Sequence, residues 1–220
     1  MNTGFLINLL YPPKCVICGR IQYGGEECIC ETCLSQLPRT NPHYKRTGPF
    51  YSFCLVPLWY KGDFRQSFLR YKFGGKRVYA PVYSAILCER LDAADIMETI
   101  DYITWAPLVP RRLRKRGYDQ AALLAQGIAR HYGIPAIHLL KKKRGVGPQT
   151  KTTSLSERRA NISGAYRMRS EIDLHGKRIL LVDDVITTGS TLSECAKTLK
   201  TAGAAEIVCI ALATPESDLG

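Results

Sequence analysis

Apolar runs of different length and period divide the chain into strands, helices and connecting segments. Ile179 to Val182 and Glu206 to Ala213 are near-continuous apolar runs, as expected of parallel strands buried on both faces. Leu192 to Ala202, between them, reads as a helix, as do Val78 to Leu91 and the apolar-periodic Ala121 to Tyr132. Phe64, Phe68, Leu69 and Tyr71 fall at helical spacing, so Phe64 to Phe73 is a further helix with its aromatics in the core. Asp101 to Trp105 is expected to be the first strand of the sheet proper and Ile134 to Leu140 the next, with Ala165 to Met168 a short strand or arm. Phe53 to Tyr60 is β-rich but alternates poorly and contains Pro57, which suits an edge strand or hairpin arm ended by Lys61-Gly62-Asp63. Pro38 to Pro49, with Asn41, Pro42 and Gly48, reads as linker, and His43 there as an exposed residue. Lys141 to Arg159 is polar and short of hydrophobes. It is read as a mobile lid over an anionic ligand, with Gln149, Arg158, Arg159 and Asn161 as its contact candidates. There is no internal repeat.

The strand ending at Val182 leads directly into chemistry. Asp183 and Asp184 stand at its carboxyl end, and Thr187, Thr188, Gly189, Ser190 and Thr191 open the following helix. Open α/β sheets bind ligands at strand carboxyl ends, and free N–H groups at a helix start suit a phosphate. Gly189 lets the backbone approach it and the hydroxyls add donors. The acids suit vicinal ribose hydroxyls, or a hydrated Mg²⁺ carried by the ligand. All thirteen positions from Ile179 to Thr191 then resemble the phosphoribosyl pyrophosphate (PRPP) signature of type I phosphoribosyltransferases. The competing interpretation is a plain strand, turn and capped helix. No Walker-type Gly-x-x-x-x-Gly-Lys is present, which disfavours a nucleoside triphosphatase.

Composition changes this picture at two points. The 220 residues carry a formal charge of +12, which favours polyanionic or phosphate-rich ligands. The basic run Arg111-Arg112-Leu113-Arg114-Lys115-Arg116 follows a proline-bounded turn, Val109-Pro110, at a strand's carboxyl end. As a loop it could neutralise a pyrophosphate, contact a nucleic-acid backbone, or simply be solvated. Arg111, Arg112, Arg114, Lys115 and Arg116 are the nucleic-acid candidates.

The nine cysteines come without a signal-peptide pattern, which argues against a disulfide framework. Gly4 to Leu10 is apolar but too short to span a bilayer, so a cytoplasmic protein without membrane insertion is expected. Cys15-x2-Cys18 and Cys30-x2-Cys33 form a four-thiolate zinc pattern, with Gly19, Gly24 and Gly25 for its turns. Redox thiols are the alternative, and Cys28 could replace Cys30. Four protein ligands leave no open position, so the zinc would be structural. Cys88, Cys195 and Cys209 read as core residues, and His131, His138 and His175 as ordinary surface or core residues.

Taken together, these landmarks resemble the ComF/GntX-type phosphoribosyltransferase-like competence proteins. They are the cysteine knuckle, Leu-Val-Pro followed by Arg-x-x-Arg-Lys-Arg-Gly-Tyr-Asp-Gln, then Gln149 with Arg159-x-Asn161, and the terminal signature. Tyr118 and Asp119 replace the family's usual Phe and Asn. The resemblance covers about residues 12 to 213. It implies an α/β fold, a type I phosphoribosyltransferase-like parallel sheet flanked by helices, with a small N-terminal zinc knuckle. The expected partition is 1–40 zinc-knuckle region, 41–50 linker and 51–220 phosphoribosyltransferase-like domain. It further implies a role in natural transformation with single-stranded DNA as ligand and a helicase-like competence ATPase as partner. Carried onto this chain, Asp183 and Asp184 would be catalytic and hold the ribose hydroxyls or the Mg²⁺ complex of PRPP. Thr187 to Thr191 would cradle the 5′-phosphate, while Val109, Pro110, Arg111 and Arg116 would face pyrophosphate. The implied chemistry is displacement of pyrophosphate from C1 of PRPP through an oxocarbenium-like transition state, which needs positioning and charge neutralisation more than a strong base. The two functions to be separated are a DNA-uptake protein with a PRPP or ribose-phosphate site and an active phosphoribosyltransferase with an unidentified acceptor.

Overall fold

A computed structural model of the chain describes residues 12–22, 28–143, 164–169 and 171–216. Gly24, Gly25, the apolar Gly4 to Leu10 and the lid candidates Gln149, Arg158, Arg159 and Asn161 lie outside the described residues.

The sheet is built around β7 (Arg178–Val185) and β8 (Glu206–Thr214), which pair in parallel from Arg178↔Glu206 to Val185↔Ala213. Strand β4 (Tyr102–Trp105) pairs in parallel with β7, and β2 (Tyr51–Leu55) with β8. Strand β1 (Lys45–Gly48) closes the far edge antiparallel to β2, and β3 (Leu58–Trp59) also pairs β8, giving the order β1-β2-β8-β7-β4. The apolar runs of β7 and β8 are continuous because both faces are covered. Leu180, Val182, Val208 and Ile210 share one core with helices α2 (Gly62–Phe73), α3 (Ala80–Asp92) and α5 (Gln120–Tyr132). Ile179, Leu181, Ile207 and Cys209 face the opposite core with α6 (Ser190–Thr201) and a small two-stranded sheet, β5 (Leu140–Lys142) against β6 (Tyr166–Met168). Period-two alternation thus assigns successive residues to the two cores.

Three expectations change. Of the two readings of Phe53 to Tyr60, the hairpin arm holds and the edge does not: β2 pairs antiparallel with β1 as a hairpin and lies inside the sheet, and the edge strand β1 occupies part of the stretch read as linker. The Lys-Arg-Thr-Gly composition of β1 hid it, since an edge strand needs no apolar face. Ile134 to Leu140 does not form a strand of the main sheet. Ala136 makes a single parallel bridge to Ile103, because Pro135 has no N–H with which to extend the ladder. The run continues instead into β5, outside that sheet. The third change, in the basic segment, belongs to the site. Among the described residues, no helix is long and apolar enough to cross a membrane.

The cysteine knuckle sits on this body and shares its core. Its short helix α1 (Glu31–Ser35) buries Cys33. Val16 and Ile17 are buried in the same cluster as Phe64, Phe68 and Tyr83. From α2, Ser67 Oγ donates to the Val16 carbonyl and Arg70 donates to that of Ile17 at 2.5 Å.

Candidate functional site

The site lies where β4 and β7 end. Asp183 and Asp184 are the last acids of β7, held by their own backbone. The Asp183 carboxylate accepts the Asp184 N–H at 2.8 Å, and the Asp184 carboxylate accepts the Val185 N–H at 2.7 Å. They open onto a cleft of ≈ 150 Å³ that is also lined by Val109, Arg112, Arg116, Lys142 and Thr191. Lys72, at the end of α2, reaches Asp184 with its Nζ 2.7 Å from Oδ2. Burial, and next the neighbouring Asp184 carboxylate, push the Asp183 carboxyl up to about 8. Burial also pulls the Lys142 ammonium below its ordinary range.

The basic segment is a helix, not a loop. Helix α4 (Pro110–Arg116) begins with Pro110 in its first turn and ends at Gly117, whose φ of 80° closes it. Proline at a helix start and glycine just past its end are helix signals that the charge run obscured. The helix sorts the cations by spacing. Arg112 and Arg116, four apart, lie on one face and line the cleft, while Arg111, Arg114 and Lys115 are exposed and do not line it. Pro110 does not line it either; its part is to start the helix.

Much of the Arg-Gly-Tyr-Asp-Gln motif is bracket. Asp119 caps α5 through the Ala122 N–H at 3.3 Å and accepts the Leu108 N–H at 3.0 Å, fixing the turn after β4. Tyr118 Oη donates to the Tyr71 carbonyl, and Gln120 Nε2 donates to that of Lys72 at 3.5 Å. These two side chains hold the end of α2 from which Lys72 extends.

The hydroxyl segment starts α6. Gly189 takes φ 75°, and Thr188 Oγ1 lies 2.8 Å from Ser190 Oγ. Thr191 lines the cleft; Thr187, Thr188 and Ser190 belong to the same turn but do not line it. Behind the turn, Arg46 of β1 donates to the carbonyls of Ile186 (3.3 Å) and Thr187 (2.6 Å) and to Thr214 Oγ1 (2.8 Å). Sequence reasoning missed Lys72, Lys142 and Arg46. Lys72 stands before Gly74-Gly75 at a helix end, a weak signal; Lys142 is one of four successive cations; Arg46 lies in the supposed linker.

In the knuckle, the sulfurs of Cys15, Cys18, Cys30 and Cys33 all lie within 4.8 Å of one another. Cys18 and Cys30 sulfurs are 3.9 Å apart, against about 3.8 Å for a tetrahedral zinc with Zn–S near 2.3 Å. Zinc fits. Cys28 is exposed and outside the cluster, so the geometry groups Cys30, not Cys28, with the other three sulfurs. Burial opposes the Cys15 thiolate, but the N–H groups of Cys18, Cys30 and Ile17 outweigh it and bring the thiol down to about 6. Burial and the neighbouring thiols push Cys33 up.

A parallel sheet with an acid pair and hydroxyl turn at its carboxyl edge, carrying a four-cysteine knuckle, defines a phosphoribosyltransferase-type protein with a structural zinc module. Residues 118–219 match the phosphoribosyl transferase domain family and residues 6–50 the double zinc ribbon domain family. The chain is 30% identical to competence protein F of Haemophilus influenzae over 89% of its length and 82% of that protein's. It is 24% identical to competence protein ComFC of Streptococcus pneumoniae over 90% of this chain and 99% of that one. It is 34% identical to the DNA utilization protein YhgH of Escherichia coli over 49% of this chain and 46% of that one. The chain belongs to the ComF-type competence protein family.

Proposed function

We propose that this protein acts in natural transformation, handling incoming single-stranded DNA in the cytoplasm, and that its cleft holds PRPP or ribose 5-phosphate. The competence role is supported by the names of the relatives that span most of the chain. One observation carries the ligand reading: acids, a hydroxyl-bearing helix start and four cations from three separate elements converge on a single cleft. In this reading Asp183 accepts hydrogen bonds from the ribose hydroxyls. The turn at Thr187 to Thr191 receives the 5′-phosphate, and Arg112, Arg116 and Lys142 neutralise the pyrophosphate, with any Mg²⁺ arriving on the ligand. Calorimetric titration with PRPP and Mg²⁺ tests it, with the Asp183→Asn/Asp184→Asn double variant as control. Binding that the control loses is expected; a folded wild-type protein that binds nothing would remove the reading.

The exposed face of α4 favours DNA as a second ligand. Arg111, Arg114 and Lys115 are turned to solvent beside Leu113, which is 40% exposed, an arrangement suited to a phosphate backbone with bases against an apolar contact. A helicase-like ATPase is the partner expected to deliver the strand.

A further inference from the structure

We infer that Lys72 is the resident counter-ion of Asp184, occupying the place a divalent cation would take, so that the cleft binds its ribose phosphate without a metal ion on the acid pair. The inference rests on the ribose-phosphate reading above and names how that site balances its charge.

Both oxygens of Asp184 already have partners on the chain. Oδ2 faces the Lys72 ammonium at 2.7 Å and Oδ1 accepts the Val185 N–H at 2.7 Å. The side chains of the pair are only 21% and 12% exposed, so the contact is screened far less than a surface ion pair. One oxygen of Asp183 is likewise taken, by the Asp184 N–H. Direct coordination of Mg²⁺ by this pair, which demands near-ideal octahedral geometry, does not fit these contacts unless the ammonium is displaced.

Lys72 is also held where it is. Helix α2 is fixed by Phe64, Phe68 and Tyr71 in the core, and the Lys72 ammonium stands 5.5 Å over the Phe68 ring. Tyr118 and Gln120 bind the carbonyls of Tyr71 and Lys72. Arg112, Arg116 and Lys142 complete a cationic rim around the acids. A dication entering this cleft meets four cations from three elements alongside Asp119, Asp183 and Asp184, with Asp184 already paired to Lys72, whereas a phosphate ester is drawn to the cations and its ribose hydroxyls can donate to the acids. The fixed ammonium therefore selects for the anionic ligand and against the free metal.

The test is titration of the full-length zinc-loaded protein with Mg²⁺ alone, comparing wild type, Lys72→Met and Lys72→Arg. Lys72→Met keeps the aliphatic stem against Phe68, and its thermal transition and zinc content report folding. Removing a unit charge in contact with Asp184 is expected to tighten Mg²⁺ binding by about tenfold or more. Lys72→Arg should stay near wild type, and Lys72→Met/Asp184→Asn should lose the gain. Damage to the fold cannot produce a gain of affinity. Mg²⁺ binding by Lys72→Met within twofold of wild type, or weaker, overturns the inference. In a second arm, wild type is titrated with ribose 5-phosphate in EDTA and in Mg²⁺. Equal affinities support the inference, and binding only with Mg²⁺ overturns it. Absence of ribose 5-phosphate binding under both conditions would instead refute the ribose-phosphate reading, leaving the Mg²⁺ arm to judge Lys72.

Discussion

Arg70 donates to the backbone carbonyl of Ile17 at 2.5 Å, and two residues further along the same helix Lys72 reaches Asp184. One rigid helix, α2, therefore joins the cysteine knuckle to the acid pair. The knuckle has little core of its own. Val16 and Ile17 bury themselves against α2, and the metal supplies the remaining order.

Stripping zinc with a chelator is expected to lower the thermal transition by about 10 °C or more and to weaken ribose 5-phosphate binding through the freed α2. Arg70→Met should reproduce a milder form of the binding loss while zinc content stays at one per chain. Scanning fluorimetry, a metal assay and calorimetry check both. Unchanged ligand affinity in the zinc-free protein would mean that α2 does not transmit the loss.

Asp183 makes stability depend on pH in an unusual direction. Its carboxyl is pushed up to about 8, so the folded state binds a proton more tightly than the unfolded chain does. Its contribution is fully present below the ordinary carboxylate range and is lost as pH rises through about 8. Asp183→Asn should be more stable than wild type at pH 8 to 9 by about 1–3 kcal/mol, the partial solvent contact of Asp183 trimming the larger figure its shift implies. The advantage should vanish near pH 4. Urea midpoints across that range provide the check, and parallel curves would contradict it.

Gly189 is the one residue of the hydroxyl turn that cannot take a side chain cheaply. Its φ is 75°, and a Cβ there would stand 3.3 Å from the Tyr51 hydroxyl. Gly189→Ala should cost about 1 kcal/mol of stability and a larger share of phosphate affinity, because the N–H groups of the turn rotate with it. Comparing the thermal transition with the ribose 5-phosphate titration separates the two effects.

The two faces of α4 should respond to different ligands. Arg114→Gln/Lys115→Gln is expected to lower the slope of log K against log salt for single-stranded DNA by about 1.4, at about 0.7 for each phosphate no longer neutralised, without changing PRPP affinity. Arg112→Gln/Arg116→Gln should weaken PRPP binding. Fluorescence anisotropy at several salt concentrations measures the first and calorimetry the second. If both double variants weaken both ligands alike, the division of the helix into two faces is wrong.

The sequence by itself determined the elements whose signal is local. The apolar runs of β7 and β8 read as strands covered on both faces, and they are. The acids and hydroxyls that follow point to a ribose-phosphate ligand, and the paired Cys-x-x-Cys spacing points to a four-thiolate site because each pair can span one edge of a tetrahedron. Tertiary structure decided what depends on long-range contact. Lys72 is an ordinary helix-end lysine until folding carries it across more than a hundred residues to Asp184. Arg46 is a linker cation until β1 pairs with β2 and places it behind the hydroxyl turn. The six-residue basic run shows its charge in the sequence, but only the helical turn of α4 divides it into cleft-facing and solvent-facing cations. Charge and hydropathy are properties of single residues, whereas counter-ions, edges and faces are relations between segments, and those exist only once the chain has closed.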